Sequence, residues 1–325
     1  MERPSPLIID CHTHVGNILK LLGGKQVHDE MIRAFNLMEE DAPWYKIFDY
    51  GYWRALKQYR PKQELGVIGS YIRDQWMIRS EHRRVRAATF KNLADVMAAN
   101  GVGYACVLPV PPNVLLDDIK GENYPNILRF GSVDFDSETR IEEAIEDALS
   151  KGARGLKLHP ILQRIRLTDP RVLIAVEKFG KSRYPVMLHV GENSYYHGTN
   201  PDREMPGLGG NIDDVEDLVK KFPNVNFIIG HAGLGQVDQV IKKLSRYSNV
   251  YVDVSFQSPE GIMILIEKFG PKRVLFGSDW PFGDIRTMIK NVEEACGRDE
   301  ENKILIFSRN TADLVGLELP QAEAA

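Results

Sequence analysis

Cysteine is scarce in this chain. Its 325 residues hold three, Cys11, Cys106 and Cys296, none spaced as a metal knuckle or a redox pair. An odd count of isolated thiols argues against a disulfide-built scaffold and for a reducing compartment. Long apolar runs are missing too. No stretch approaches a membrane span, and the opening MERPSPLIID has no apolar core of the kind a signal peptide carries. Positive charge is not in excess: 41 Lys and Arg against 45 Asp and Glu leave a net charge of −4. That balance, with no basic run interleaved with aromatics, argues against a nucleic-acid or membrane partner. Low-complexity sequence is confined to the QAEAA tail. The expectation is a cytoplasmic, globular protein whose partner is a small molecule.

What the chain does contain is an alternation of short β-rich runs and amphipathic helices. Eight runs read as strands buried on both faces: 7–13, 104–110, 127–135, 153–159, 185–191, 225–231, 250–255 and 273–279. Between them, apolar residues recur at helical spacing. Ile141, Ala144, Ile145, Ala148 and Leu149 form one stripe behind a Ser137 cap. Others run through Ile212 to Phe222, Val237 to Tyr247 and Ile285 to Cys296. Ser258-Pro259 opens a further helix that Gly270 closes. Eight strands alternating with helices predict an α/β (β/α)8 TIM barrel spanning 1–325 as a single domain. A doubly wound open sheet is the alternative, weakened because no Gly-rich phosphate fingerprint follows the first strand. Residues 15–83 interrupt the rhythm. They are too long for a structureless loop and carry nine Trp, Tyr and Phe residues between Trp44 and Trp76. They read as a mostly helical insertion that caps the barrel, able to touch substrate or to form a homodimer interface.

The polar residues have a pattern of their own. In IIDCHTHVG, Asp10, His12 and His14 alternate along the first strand and so share a face, with both imidazoles at its C-terminal end. His159 ends the fourth run, His189 the fifth, His231 the sixth and Asp279 the eighth. His197 lies in the loop after the fifth, so of eight histidines only His28 and His82 fall plainly elsewhere. In a barrel the C-terminal strand ends form the catalytic face. Imidazoles and a carboxylate buried together there need a common partner. A divalent metal satisfies them, zinc first, with manganese, iron, cobalt or nickel as alternatives.

The ordered set DCHTH, GLKLHP, PVMLHVGE, IIGHAG, FGSDWP and NTADLVGL resembles the amidohydrolase superfamily. Within it, the set is similar to the amidohydrolase 2 branch of metal-dependent barrel enzymes, which includes aminocarboxymuconate semialdehyde decarboxylase. The resemblance covers nearly the whole chain and is weakest in 15–83. It implies that His12, His14, His189 and Asp279 ligate one divalent metal, and that His231 and Asp279 are catalytic. His231 would act on substrate or water rather than in the first shell of ligands. Binuclear relatives bridge two metals through a carboxylated lysine of the fourth strand, so Lys157 is the position to watch; in this branch K-x-H usually accompanies one metal.

These parts suit hydrolysis of an amide, ester or lactone through a metal-activated water. They equally suit non-oxidative decarboxylation of a small aromatic or unsaturated acid. A non-catalytic metal-binding barrel is the third reading, disfavoured because every expected ligand position is filled. Candidate substrate contacts are Lys157, His159, Gln163, Arg164 and Trp280. Arg166, Phe282, Glu192, Tyr195, Tyr196 and His197 lie on the same loops, and an arginine would suit an acidic substrate.

Overall fold

The computed structural model describes residues 7–19, 84–85, 88–119, 123–191 and 211–319. The insertion between the first strand and the helix that follows therefore lies almost wholly outside the described residues. So do Glu192, Tyr195, Tyr196 and His197.

Among the described residues there are eight parallel strands: β1 (Ile8–Thr13), β2 (Val102–Val107), β3 (Ile127–Arg129), β4 (Leu156–Leu158), β5 (Val186–Leu188), β6 (Phe227–Ile229), β7 (Val250–Asp253) and β8 (Val274–Leu275). They pair in sequence order as two sheets, β1-β2-β3 and β4 through β8. Two parallel bridges join the sheets, Gly131 to Leu156 and Thr13 to Trp280. At the first seam Gly131 N donates to Gly155 O at 2.7 Å. At the second, Cys11 N donates to Phe276 O at 2.9 Å and Asp279 N to His12 O at 2.7 Å. The eighth strand thus returns to the first, and the ring is a (β/α)8 barrel rather than an open doubly wound sheet.

Helices alternate with the strands: α1 (Phe90–Ala99), α2 (Ile141–Ser150), α3 (Pro160–Gln163), α4 (Pro170–Gly180), α5 (Ile212–Lys221), α6 (Val237–Leu244), α7 (Pro259–Phe269) and α8 (Ile285–Cys296). The chain ends in α9 (Glu300–Ile304), a π-helical turn at Leu305–Arg309 and α10 (Asn310–Val315). Among the described residues no helix is long and apolar enough to cross a membrane.

Local chemistry accounts for the boundaries. Ser258 accepts from Gly261 N at 3.2 Å to open α7, and Gly270 closes it at φ 78°, the left-handed region that glycine enters at no steric cost. Helix α1 starts at Phe90, where Thr89 caps it by accepting from Asn92 N at 3.1 Å. The Ser137 cap expected for α2 is not made. Arg140 occupies the cap position, while Ser137 Oγ accepts from Thr139 N at 3.1 Å in a turn of its own.

Cys11, Cys106, Met187, Ile228 and Leu275, from five different strands, pack into one buried cluster with Leu314 and Val315 of α10. Residues of five strands meet only inside the ring, so this cluster is the barrel lumen. A larger core lies between strands and helices and includes Val176, Phe179, Leu218, Val240 and Leu265. Buried Asn310 pins the approach to β8, donating to Pro271 O at 2.7 Å and to Val274 O at 2.8 Å. Truncation would orphan both carbonyls. Asn310→Ala should cost about 1–3 kcal/mol in urea unfolding; an unchanged midpoint would show that the clamp is dispensable.

Candidate metal centre

The strand ends bring the predicted polar residues together. His14 Nδ1 lies 2.8 Å from Leu108 O. A carbonyl only accepts, so Nδ1 carries a proton and Nε2 is the atom turned towards the site. That Nε2 is 3.2 Å from Asp279 Oδ1, and His12 Nε2 is 3.4 Å from the same oxygen. His231 Nε2 and His189 Nδ1 face each other at 3.2 Å. The His12 and His231 rings stack at 4.8 Å, and those of His159 and His189 at 4.0 Å. Ligand atoms of His12, His231 and Asp279 all fall within 4.8 Å of one another, and all three residues are buried.

Two carrier residues adopt the left-handed backbone region, Asp279 at φ 56° and His231 at φ 57°. Such conformations cost about 1–3 kcal/mol outside glycine and cluster at functional sites. They turn each side chain off the end of its strand. Glycine makes room beside them. A Cβ on Gly277 would lie 3.1 Å from His12 Cβ and 3.2 Å from Asp253 Cβ. One on Gly230 would lie 2.9 Å from Leu188 O and 3.6 Å from His12 Cε1.

Burial sets the charge states. It holds the imidazoles of His12, His159 and His231 well below their ordinary pKa, and neighbouring rings and Lys157 push the same way. Neutral imidazole is the form that ligates a metal. Burial raises Asp279 above the usual carboxylate range, against the opposing pull of His14. It also lifts Asp10 to about 7. Asp10 Oδ1 accepts from His12 N at 3.1 Å and Ser278 N at 3.0 Å, linking β1 to the segment after β8.

Does this donor set fit a metal? Bonds of about 2.0–2.1 Å in a tetrahedral zinc site separate neighbouring ligand atoms by about 3.3 Å. The contacts of Asp279 with His12 and His14 have that length. Lys157 Nζ, 1% exposed, lies 3.1 Å from His12 Nε2. A cationic donor thus occupies part of the space where lone pairs converge. The donors fit a divalent cation.

The comparisons with known proteins follow the same lines. A family profile described as Amidohydrolase matches residues 9–317. The chain belongs to the amidohydrolase family. No curated protein matches it in sequence. Among solved structures, it is similar to a 2,6-dihydroxybenzoate decarboxylase from Rhizobium (TM-score 0.62, 14% identity, 96% of this chain and 99% of that one). It is similar to 5-carboxyvanillate decarboxylase from Sphingomonas paucimobilis (TM-score 0.60, 14% identity, 97% and 100%). It is also similar to a structure described as a 2-pyrone-4,6-dicarboxylic acid hydrolase from Pseudomonas putida (TM-score 0.52, 20% identity, 72% and 89%). At these identities the likeness shows the barrel fold. Family and neighbours are enzymes, hydrolases and decarboxylases both.

Not every residue that the sequence suggests for substrate reaches this amidohydrolase's site with free groups. Gln163 Oε1 accepts from His159 N at 2.6 Å, and its amide nitrogen donates to Val133 O at 2.7 Å and Ser132 Oγ at 3.3 Å. Its amide is engaged in holding the β4 end to the β3 end. Trp280 is buried in the core, where its carbonyl accepts from His14 N at 2.7 Å. Arg166 pairs with Asp214 of α5 at 3.0 Å. Arg164 is exposed, in the left-handed region at φ 51°. His159 and Lys157 do lie within the cluster. Three further residues have no place in the sequence-based set. Asp253, Ser255 and Gln257 follow one another at the end of β7, and Gln257 Nε2 donates to His231 O at 2.8 Å. Their partners lie on other strands, His12 on β1 and His231 after β6, so the local sequence does not mark them.

Lys157 gives this site a pH signature. Burial pushes it down to about 8, against the pull of Asp279 and Asp253. An unfolded lysine titrates near 10.4, so below that value the unfolded chain binds more protons and the buried ammonium destabilises the fold. Stability should rise as pH climbs from 8 towards 10.5. In metal-stripped protein, moving from pH 7.5 to 9.5 should stabilise the parent by about 2 kcal/mol relative to Lys157→Met in urea unfolding. Parallel pH profiles for the two proteins would refute this.

Proposed function

We propose that this amidohydrolase is a metal-dependent hydrolase that cleaves an amide, ester or lactone bond in a small, carboxylate-bearing molecule. The supporting observation is the shared approach of His12 Nε2 and His14 Nε2 to Asp279 Oδ1, at 3.4 and 3.2 Å, in a buried pocket that also holds the neutral imidazoles of His159 and His231. In this reading His12, His14, His189 and Asp279 hold one divalent ion, zinc before manganese, iron, cobalt or nickel. Such an ion supplies Lewis acidity, polarising a substrate oxygen and acidifying a water to a pKa of about 7.

The chain's own groups do the rest. Asp279, raised by burial, is suited to take a proton as water attacks. His231, beside His189 and stacked on His12, handles the proton of the attacking or departing group. Lys157 and His159 face the same cluster and suit an anionic substrate, with Arg164 an outlying candidate. Water adds across the scissile bond, leaving an acid and an amine or alcohol.

A second reading has its own support. Two of the similar structures, each matching nearly the whole of this chain, are decarboxylases of aromatic acids. The same residues could deliver a proton to a ring carbon as carbon dioxide leaves.

The test begins with elemental analysis of protein purified without chelator. One divalent metal per chain is expected, and none in a His12→Ala, His14→Ala double variant. The loaded enzyme is then assayed against lactones, amides and esters of carboxylic acids, and against 2,6-dihydroxybenzoate and 5-carboxyvanillate with detection of carbon dioxide. Hydrolysis without carbon dioxide release supports the first reading; carbon dioxide release replaces it with the second. His231→Asn should keep its metal and lose about 10²–10⁴-fold in turnover. Near-parental turnover would remove His231 from the chemistry.

A further inference from the structure

Four donors converge on the carboxylate of Asp253 at the end of β7. Oδ2 lies 3.0 Å from His12 Nδ1 and accepts from the His231 backbone N–H at 3.0 Å. Oδ1 accepts from Ser255 N at 2.9 Å and from the Ser255 hydroxyl. One fully buried side chain therefore ties together the ends of β1, β6 and β7.

The proton bookkeeping of this cluster is closed. As a carboxylate, Asp253 only accepts, so the proton between it and His12 sits on Nδ1. A hydroxyl has a single proton, and that of Ser255 goes to Asp253 Oδ1. Ser255 Oγ also lies 2.7 Å from His231 Nδ1. With its own proton committed, that oxygen accepts, so His231 Nδ1 is protonated as well. Each neutral ring carries one proton, so both Nε2 atoms are bare. His12 Nε2 faces Asp279 and Lys157, and His231 Nε2 faces His189. His159 is held the other way. Its Nδ1 accepts from Leu162 N at 3.3 Å, which places the proton of the neutral ring on Nε2.

We propose that Asp253, directly on His12 and through Ser255 on His231, is the positioning residue that fixes both tautomers. It thereby makes His12 a metal ligand and His231 a proton acceptor at Nε2. The inference rests on the metal-centre reading above and deepens it. An amide cannot substitute for this carboxylate, because it accepts at one end and donates at the other. If the Asn nitrogen replaces Oδ2 it forces His12 to the Nε2–H form. If it replaces Oδ1 it turns the Ser255 hydroxyl towards His231 Nδ1 and forces His231 to the Nε2–H form. Either orientation switches one of the two rings.

The experiment is long-range ¹H–¹⁵N correlation of ¹⁵N-histidine-labelled, metal-free full-length protein, with rings assigned by single histidine substitutions. It is paired with zinc titration against a chromogenic chelator. The parent should show Nδ1–H for His12 and His231 and Nε2–H for His159. Asp253→Asn should switch His12 or His231 and weaken zinc about 10–100-fold. Ser255→Ala should release the His231 tautomer while leaving His12 unchanged, and it carries the test if Asp253→Asn does not fold. An Nε2–H form of His12 or His231 in the parent overturns the proposal, as does an unaltered His231 in Ser255→Ala. Parental tautomers and zinc affinity in a folded Asp253→Asn overturn it too. A parent that shows the stated tautomers yet binds no zinc would instead overturn the metal-centre reading and leave Asp253 as the tautomer-fixing residue.

Discussion

The hydrogen bonds across the seam of β1 with β8 and the segment after it, Cys11 N to Phe276 O and Asp279 N to His12 O, close the barrel, and the site depends on that closure. It brings a residue near the end of the chain against one near its start. Without it, the two histidines of β1 would face no carboxylate from β8. The closure also has a cost. Asp279 sits in the left-handed region, Gly277 two residues before it leaves only a tight fit for a Cβ against His12 and Asp253, and the carboxyl is held above its ordinary pKa by burial. These features are difficult to explain by packing alone and simple to explain if a cation is to be held there.

The site is organised in two tiers. The inner tier is the ring of imidazoles with Asp279. The outer tier consists of groups that each fix one inner member: Leu108 O on His14, Asp253 on His12, Ser255 and Gln257 on His231, Leu162 N on His159. Most of these come from strand ends or the first residues beyond them. The parallel barrel aligns those ends at one face, so each strand can supply both a reactive group and a clamp for its neighbour. Lys157 is the member least comfortable in this arrangement. It is a buried ammonium beside neutral rings, stabilised by the carboxylates of Asp279 and Asp253.

Much of this was legible in the sequence. Parallel strands covered on both faces leave apolar runs, so all eight could be located, though several are shorter than their runs because pairing stops where the strand-end polar residues begin. Histidine placement marked the barrel face where the candidate site lies, since a buried imidazole is conspicuous among aliphatics. Asp253 was not legible. One acidic residue in VYVDVS has no partner in its own neighbourhood, and its partners, His12 and His231, are 241 and 22 residues away. Gln163 and Trp280 show the complementary limit of a sequence. Their position on a strand-end loop is visible in sequence, but whether their polar atoms are already engaged is decided by Val133, Ser132 and His14, from other strands. The Ser137 cap failed locally, because a turn three residues before α2 took its hydroxyl.

The central claim is that the strand-end histidines and Asp279 converge on one divalent ion. The most direct test is a crystal structure of zinc-loaded protein with data recorded on both sides of the zinc absorption edge. The account predicts one anomalous peak within bonding distance, about 2.0–2.2 Å, of His12, His14, His189 and Asp279, with Lys157 displaced from His12. A peak elsewhere on the chain, or none in protein shown to contain zinc in solution, would contradict it.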